Sequence, residues 1–225
     1  MSQFQKNIII TSIGHFLVHA MTMILPAVLL LLETEFSVSL ISLGKLVTIQ
    51  ILFLGLGGFP AGILADRFGS RAVLITYFIG LMISSVWLYF ATTFTMAAIG
   101  LGFLGLITGL YHPAGLKMVS HSPNVSRNMS YHGVAGSLGL AAGPIYGGWM
   151  ASWLGWRTVY LLPGGLALLG LIIILAYHHE SAPKPKEFKL NFTFTKVHLT
   201  IFTVSSLWGL AHHGLFNFLP YYFTE

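Results

Sequence analysis

No cysteine occurs in the 225 residues, which excludes disulfides and thiolate metal sites. Charge is nearly as scarce: 8% of residues are charged, against about 25% in soluble domains. With 55% hydrophobic residues and a mean hydropathy of +0.80, the chain cannot solvate itself as a globule and reads as a polytopic membrane protein. The net charge of +5 does not point to nucleic acid, because the basic residues stand between apolar runs rather than along a groove. No Asp or Glu falls inside an apolar run, so no buried carboxylate is available to carry protons. No nucleophile–base pair, metal-ligand spacing or nucleotide-binding glycine loop stands out. Enzyme activity, a cofactor, a metal site and ATP-driven work are therefore not expected.

Long apolar runs fill the space that charge leaves. Seven spans, each near the ~20 residues needed to cross hydrocarbon, run over Asn7–Leu32, Leu43–Ala65, Ala72–Ala91, Thr95–Val119, Met129–Trp153, Thr158–Tyr177 and Val197–Phe223. The runs are continuous rather than alternating, so they are helices and not barrel strands. The first run follows Lys6 with no small-residue cleavage site, and reads as a retained helix rather than a signal.

Lys6, Arg67, Arg71, Lys117, Arg127, Lys184, Lys186, Lys189 and Lys196 all fall on one side of the membrane. Only Lys45 and Arg157 fall on the other, with Glu33 and Glu35. The positive-inside rule then places the N-terminus and the Asp66 loop in the cytoplasm of a cell (inner or plasma) membrane. The polar, proline-bearing segment from His178 to Lys189 is the one linker. It divides a six-helix domain (1–177) from a cytoplasmic linker (178–196) and a seventh helix (197–225).

Two internal repeats fit this division. At an offset of 86 residues, Gly62-x-Leu-Ala-x3-Gly69-x-Arg71 aligns with Gly148-x-Met-Ala-x3-Gly155-x-Arg157, and Gly57 with Gly143. Three helices per unit is an odd number, so the second copy enters the membrane inverted. At an offset of 194, His19-x6-Pro26 aligns with His213-x6-Pro220.

The loop Gly62-Ile63-Leu64-Ala65-Asp66-Arg67-Phe68-Gly69-Ser70-Arg71 resembles the signature between helices two and three of the major facilitator superfamily, with Ser70 departing where a second basic residue is usual. Helix five adds a second signature, Gly139-x3-Gly143-Pro144-x2-Gly147-Gly148. Gly136, Gly139, Gly143 and Gly147 form a stripe under about 90° wide, which lets another helix approach closely. The resemblance implies that this stripe packs against helix eight of a second half; the alternative is ordinary packing within one bundle. The pieces His15-Phe16, Leu25-Pro26 and Tyr111-His112-Pro113-Ala114-Gly115 are similar to the fosmidomycin-resistance branch. The helix-four arginine of proton-coupled antiporters is absent from Gly100–Gly105, which argues against the usual drug/proton antiport mechanism.

The resemblance implies twelve helices in two six-helix halves. Against that pattern the expected fold is all-α: a six-helix bundle of two inverted three-helix repeats plus helix seven, an incomplete transporter. A fragment, a truncated product or one part of a split transporter is expected, with a separate chain supplying the missing half.

Histidines take the polar positions within the spans: His15, His19, His112, His212 and His213, with His132 nearer the cytoplasmic end. His15 and His19 share a helical face. Helices one, four and seven line the central cavity in this superfamily, and carry His19, His112 and His213. These residues are expected to bind substrate or carry protons, since imidazole titrates near neutrality. The competing expectations are neutral histidines hydrogen-bonded between helices, and, less favoured without nearby carboxylates or cysteines, a transition-metal cation bound by the cluster. Gln50, Tyr111 and Asn217 are candidate hydrogen-bonding groups in the cavity. Gly62, Asp66, Arg67, Gly69 and Arg71 form the candidate conformational latch; by resemblance it holds the two halves in the outward-open state. The expected partners are the lipid bilayer, a small-molecule substrate and protons. The leading function is secondary active transport of a small organic solute, with efflux as the direction. The alternatives are uptake of a metal cation or nutrient anion, and a non-transporting truncated membrane protein.

Overall fold

Apolar sequence of this length has one way to satisfy its backbone in lipid, and the chain takes it. The computed structural model describes residues 3–177 and 195–222, and among them there is no strand. The helices are α1 (Gln3–Phe36), α2 (Leu40–Phe68), α3 (Ser70–Tyr89), α4 (Phe94–Gly109), α5 (Tyr111–Ser120), α6 (Val125–Leu154), α7 (Leu161–Tyr177) and α8 (Lys196–Tyr222), with a 3-10 turn at Thr158–Tyr160. Residues 1–183 form one compact unit and 184–225 another; the second contains α8. The expected linker falls mostly outside the described residues.

Helix ends follow local chemistry. Ser39 and Thr93 cap α2 and α4 by accepting from Ser42 N (3.3 Å) and Met96 N (3.2 Å). At 34 residues, α1 is about 51 Å long and overshoots a hydrocarbon layer of about 30 Å. The fourth span is one apolar run, Phe94–Ser120, broken into α4 and α5. Pro113 explains the break: it has no N–H to offer Gly109, four residues back. Five helical stretches among the described residues are long and apolar enough to span a membrane: Phe4–Phe36, Leu40–Phe68, Ser70–Tyr89, Phe94–Ser120 and Thr158–Ala176. The expected fifth span, α6, has the length but not the hydropathy. Its glycines, serines, Asn128 and His132 dilute the apolar residues.

The repeat at 86 residues is visible in the backbone. Gly69 has φ 85° and ψ 152°, and its counterpart Gly155 has φ 80° and ψ 158°, a region open essentially to glycine alone. Each closes a helix in the same way: Gly69 N donates to Ala65 O (3.1 Å), and Gly155 N to Ala151 O (2.9 Å). Ala65 and Ala151 are themselves counterparts. Inversion also exchanges the α2–α4 pair with the α6–α1 pair, and these are the two most extensive helix contacts of the unit.

Both pairs depend on glycine. A Cβ on Gly57 would collide with Leu106 O, and one on Gly109 with Leu54 O, so α2 and α4 touch backbone to backbone. On α6, a Cβ at Gly139 would collide with Phe16 O, and one at Gly143 would lie 2.6 Å from Ala20 O. Lipid provides no hydrophobic drive between helices, so close backbone approach supplies the contact instead. This corrects the expectation for the stripe: Gly136, Gly139, Gly143 and Gly147 face α1 of their own bundle. Pro144 and Gly148, off the stripe, are half-buried.

The outward faces are apolar. Ile41 and Ile145 are each 73% exposed and Trp153 is 75% exposed, a surface that water would not tolerate over such an area. Charge is held at the two ends. At one, Lys117 Nζ reaches Asp66 Oδ1 (2.7 Å) and Ala65 O (2.8 Å). At the other, Arg157 pairs with Glu35, Arg157 Nε donates to Ala91 O (2.6 Å), and Trp156 Nε1 donates to Glu35 Oε2 (2.7 Å).

Candidate functional site

The i,i+4 spacing of His15 and His19 places both imidazoles on one face of α1. His112, near the start of α5, lies against the same face. His112 lies 5.3 Å from His15 and 5.5 Å from His19 between ring centroids. His15 and His19 meet through their Nε2 atoms at 3.2 Å. All three rings are half-buried, and their ligand-type nitrogens lie within 4.8 Å of one another. Two sequence candidates from α1 and one from α5 are thus brought together.

A fourth histidine completes the cluster. His132 of α6 is buried and stacks on His15 at 4.0 Å with a 12° interplanar angle. Its carbonyl binds His15 Nδ1 at 2.7 Å. Sequence reasoning left it out of the site. The signal was present: His132 lies one helical turn before Gly136, so it extends the small-residue stripe that faces α1. Gly136 matters for the same reason, because any Cβ there would collide with the His15 ring.

Tyr111 departs from its expected role as a cavity hydrogen-bonding group. It is fully buried, and its hydroxyl donates to the Thr11 carbonyl of α1. Its ring stacks near-parallel to His15 at 5.7 Å and fits between Gly14 and Gly115. Tyr77 behaves alike, donating to Gly14 O at 2.9 Å. Two tyrosines therefore brace α1 beneath the histidines. Gln50 is buried on α2 where α4 crosses, against Gly105, and its Nε2 has no hydrogen-bond partner among the described residues. No described contact joins it to the cluster. His213 and Asn217 fall on α8, and their side chains lie outside the described residues.

The latch candidates are all at one end of α2 and α3. Asp66, Arg67 and Phe68 are exposed, Gly62 and Arg71 half-buried, and Gly69 buried. Arg67 stacks over Phe68 at 5.2 Å. Lys117 was not expected in this group; the structure makes it the partner of Asp66 within the same bundle.

Paired inverted repeats, glycine-mediated helix contacts and apolar outward faces define a polytopic helical membrane protein. The family model of the Major Facilitator Superfamily matches residues 11–225, and the chain belongs to that family. Similar curated proteins include the tetracenomycin C resistance and export protein of Streptomyces glaucescens, 33% identical over 60% of this chain and 26% of that protein. The multidrug resistance protein MdtG of Rahnella sp. (strain Y9602) is 29% identical over 84% of this chain and 48% of its own length. The class B tetracycline resistance protein of Escherichia coli is 27% identical over 53% of this chain and 30% of its own. The matched region thus spans about half or less of these relatives.

Proposed function

We propose that this bundle is one rocking half of a secondary transporter that exports a small organic solute by alternating access. The convergence of His15, His19 and His112 from two spans carries the reading. Ionisable side chains at membrane depth are costly, and they are retained where they face a pathway or a partner. Family membership and the names of the export relatives support the class and the direction, as does the likeness to the fosmidomycin-resistance branch. In this reading the N-terminus and the Asp66 loop face the cytoplasm, consistent with nine of eleven Lys and Arg on that side.

Protons are the coupling species that histidines suit, since no carboxylate lies within a span. The missing helix-four arginine requires a proton route other than the usual one, and the imidazole cluster offers it. Asp66 then acts as part of the switch, releasing Lys117 as the cytoplasmic side opens. The test is transport of a drug panel into proteoliposomes under an imposed pH gradient. The expected result is gradient-dependent uptake that His19→Ala and His112→Ala each reduce at least tenfold. Unchanged transport and unchanged pH dependence in both variants would remove the histidines from the mechanism.

A further inference from the structure

Three of the four imidazoles, those of His15, His19 and His112, bring their ring nitrogens close enough together to share one ion. His15 Nδ1 lies 2.7 Å from a backbone carbonyl, which only accepts, so the Nδ1 carries the proton. His15 Nε2 then accepts from His19 Nε2–H across 3.2 Å, a proton that must leave that nitrogen for one cation to take both. Two nitrogens bound to one zinc at about 2.0–2.1 Å in a tetrahedron stand about 3.3–3.4 Å apart. The observed spacing is close to one such edge. Histidines at i and i+4 on a helix are also a recurrent zinc-binding pair. The third nitrogen, from His112, lies within 4.8 Å of both.

The support around His15 is of the sort that metal-bound histidines have. The His132 carbonyl, accepting from its Nδ1–H, fixes its tautomer. His132 and Tyr111 stack near-parallel to its ring, and Gly136 leaves the ring its space. The donors are neutral nitrogens with no carboxylate among them, which disfavours Mg²⁺ and Ca²⁺ and suits a borderline divalent cation.

We infer that His15, His19 and His112 form a three-histidine site for a divalent transition-metal cation such as Zn²⁺, with the fourth position open to water or to an anionic solute group. The inference goes beyond the transport reading: a cation on these nitrogens competes with protons for them, and equilibrium binding is measured without transport, so a failure of either reading is told from a failure of the other.

The test uses the full chain purified in detergent, stripped with a chelator and titrated with Co²⁺ as a spectroscopic probe, then with Zn²⁺ in competition. One Co²⁺ per chain with the intense visible bands of a tetrahedral site is expected, displaced by Zn²⁺. His19→Gln and His112→Gln should each weaken binding at least tenfold. His121→Gln and the His178→Gln/His179→Gln pair should leave it unchanged. Should a ligand variant fail to elute as the same monodisperse species, Gly136→Ala serves in its place: it keeps every ligand, displaces the His15 ring, and should also weaken binding. Tetrahedral Co²⁺ bands that persist at full affinity in the ligand variants or in Gly136→Ala would overturn the assignment. So would the absence of any saturable binding by the unaltered chain.

Discussion

At the residue scale, a cluster of imidazoles is held in place by groups that never touch solvent. Tyr111 donates to Thr11 O and Tyr77 to Gly14 O, so both phenols are spent on the α1 backbone rather than on a cavity. Tyr111→Phe keeps the ring between Gly14 and Gly115 and removes only the hydrogen bond. A loss of about 1 kcal/mol is expected, read as a lowered unfolding midpoint in detergent. The residue types were legible here, but their roles were not. Histidine at membrane depth announces itself in any sequence, and His15, His19 and His112 did so. Whether a neighbouring tyrosine faces a cavity or a carbonyl depends on which turn of α1 it meets, and no spacing along one chain encodes that. Gln50 shows the same limit, since its polarity attracts notice while its position at the α2–α4 crossing does not.

At the scale of the element, glycine does the organising. Gly69 and Gly155 hold a backbone conformation that a side chain would strain by about 1–3 kcal/mol. Gly69→Ala and Gly155→Ala should each lower thermal stability in detergent by that order. Gly133→Ala is the control: its Cβ would meet nothing, and the change should be neutral or slightly stabilising. Gly139→Ala tests the other use of glycine. Its Cβ would drive α1 away from α6, and a loss of about 1–3 kcal/mol is expected in the same assay. The offset of 86 residues was readable because the repeat preserves these glycines along with their neighbours. The stripe on α6 was readable as well, but its partner was not. Small residues announce a close approach without naming the helix that makes it. The break in the fourth span was not legible either: Pro113 removes an N–H there, yet Pro26, Pro60 and Pro144 lie inside unbroken helices.

At the scale of the molecule, the absence of cysteine makes topology simple to measure. Phe68 and Trp153 are 53% and 75% exposed at opposite ends of the bundle. With a single cysteine at each in turn, Phe68→Cys should react with an impermeant maleimide only after permeabilisation. Trp153→Cys should react in intact cells. The reverse pattern would invert the orientation that the basic residues favour.

The two charged ends have a mechanical meaning. Lys117 fastens α5 to the end of α2, while Arg157 fastens the turn after α6 to the end of α1 and to Ala91. Each fastening crosses from one three-helix repeat to the other, and they sit on opposite rims. Any hinge opening between the repeats has to unbutton one rim or the other, so the stiffness of the bundle is tethered to the salt screening of four side chains.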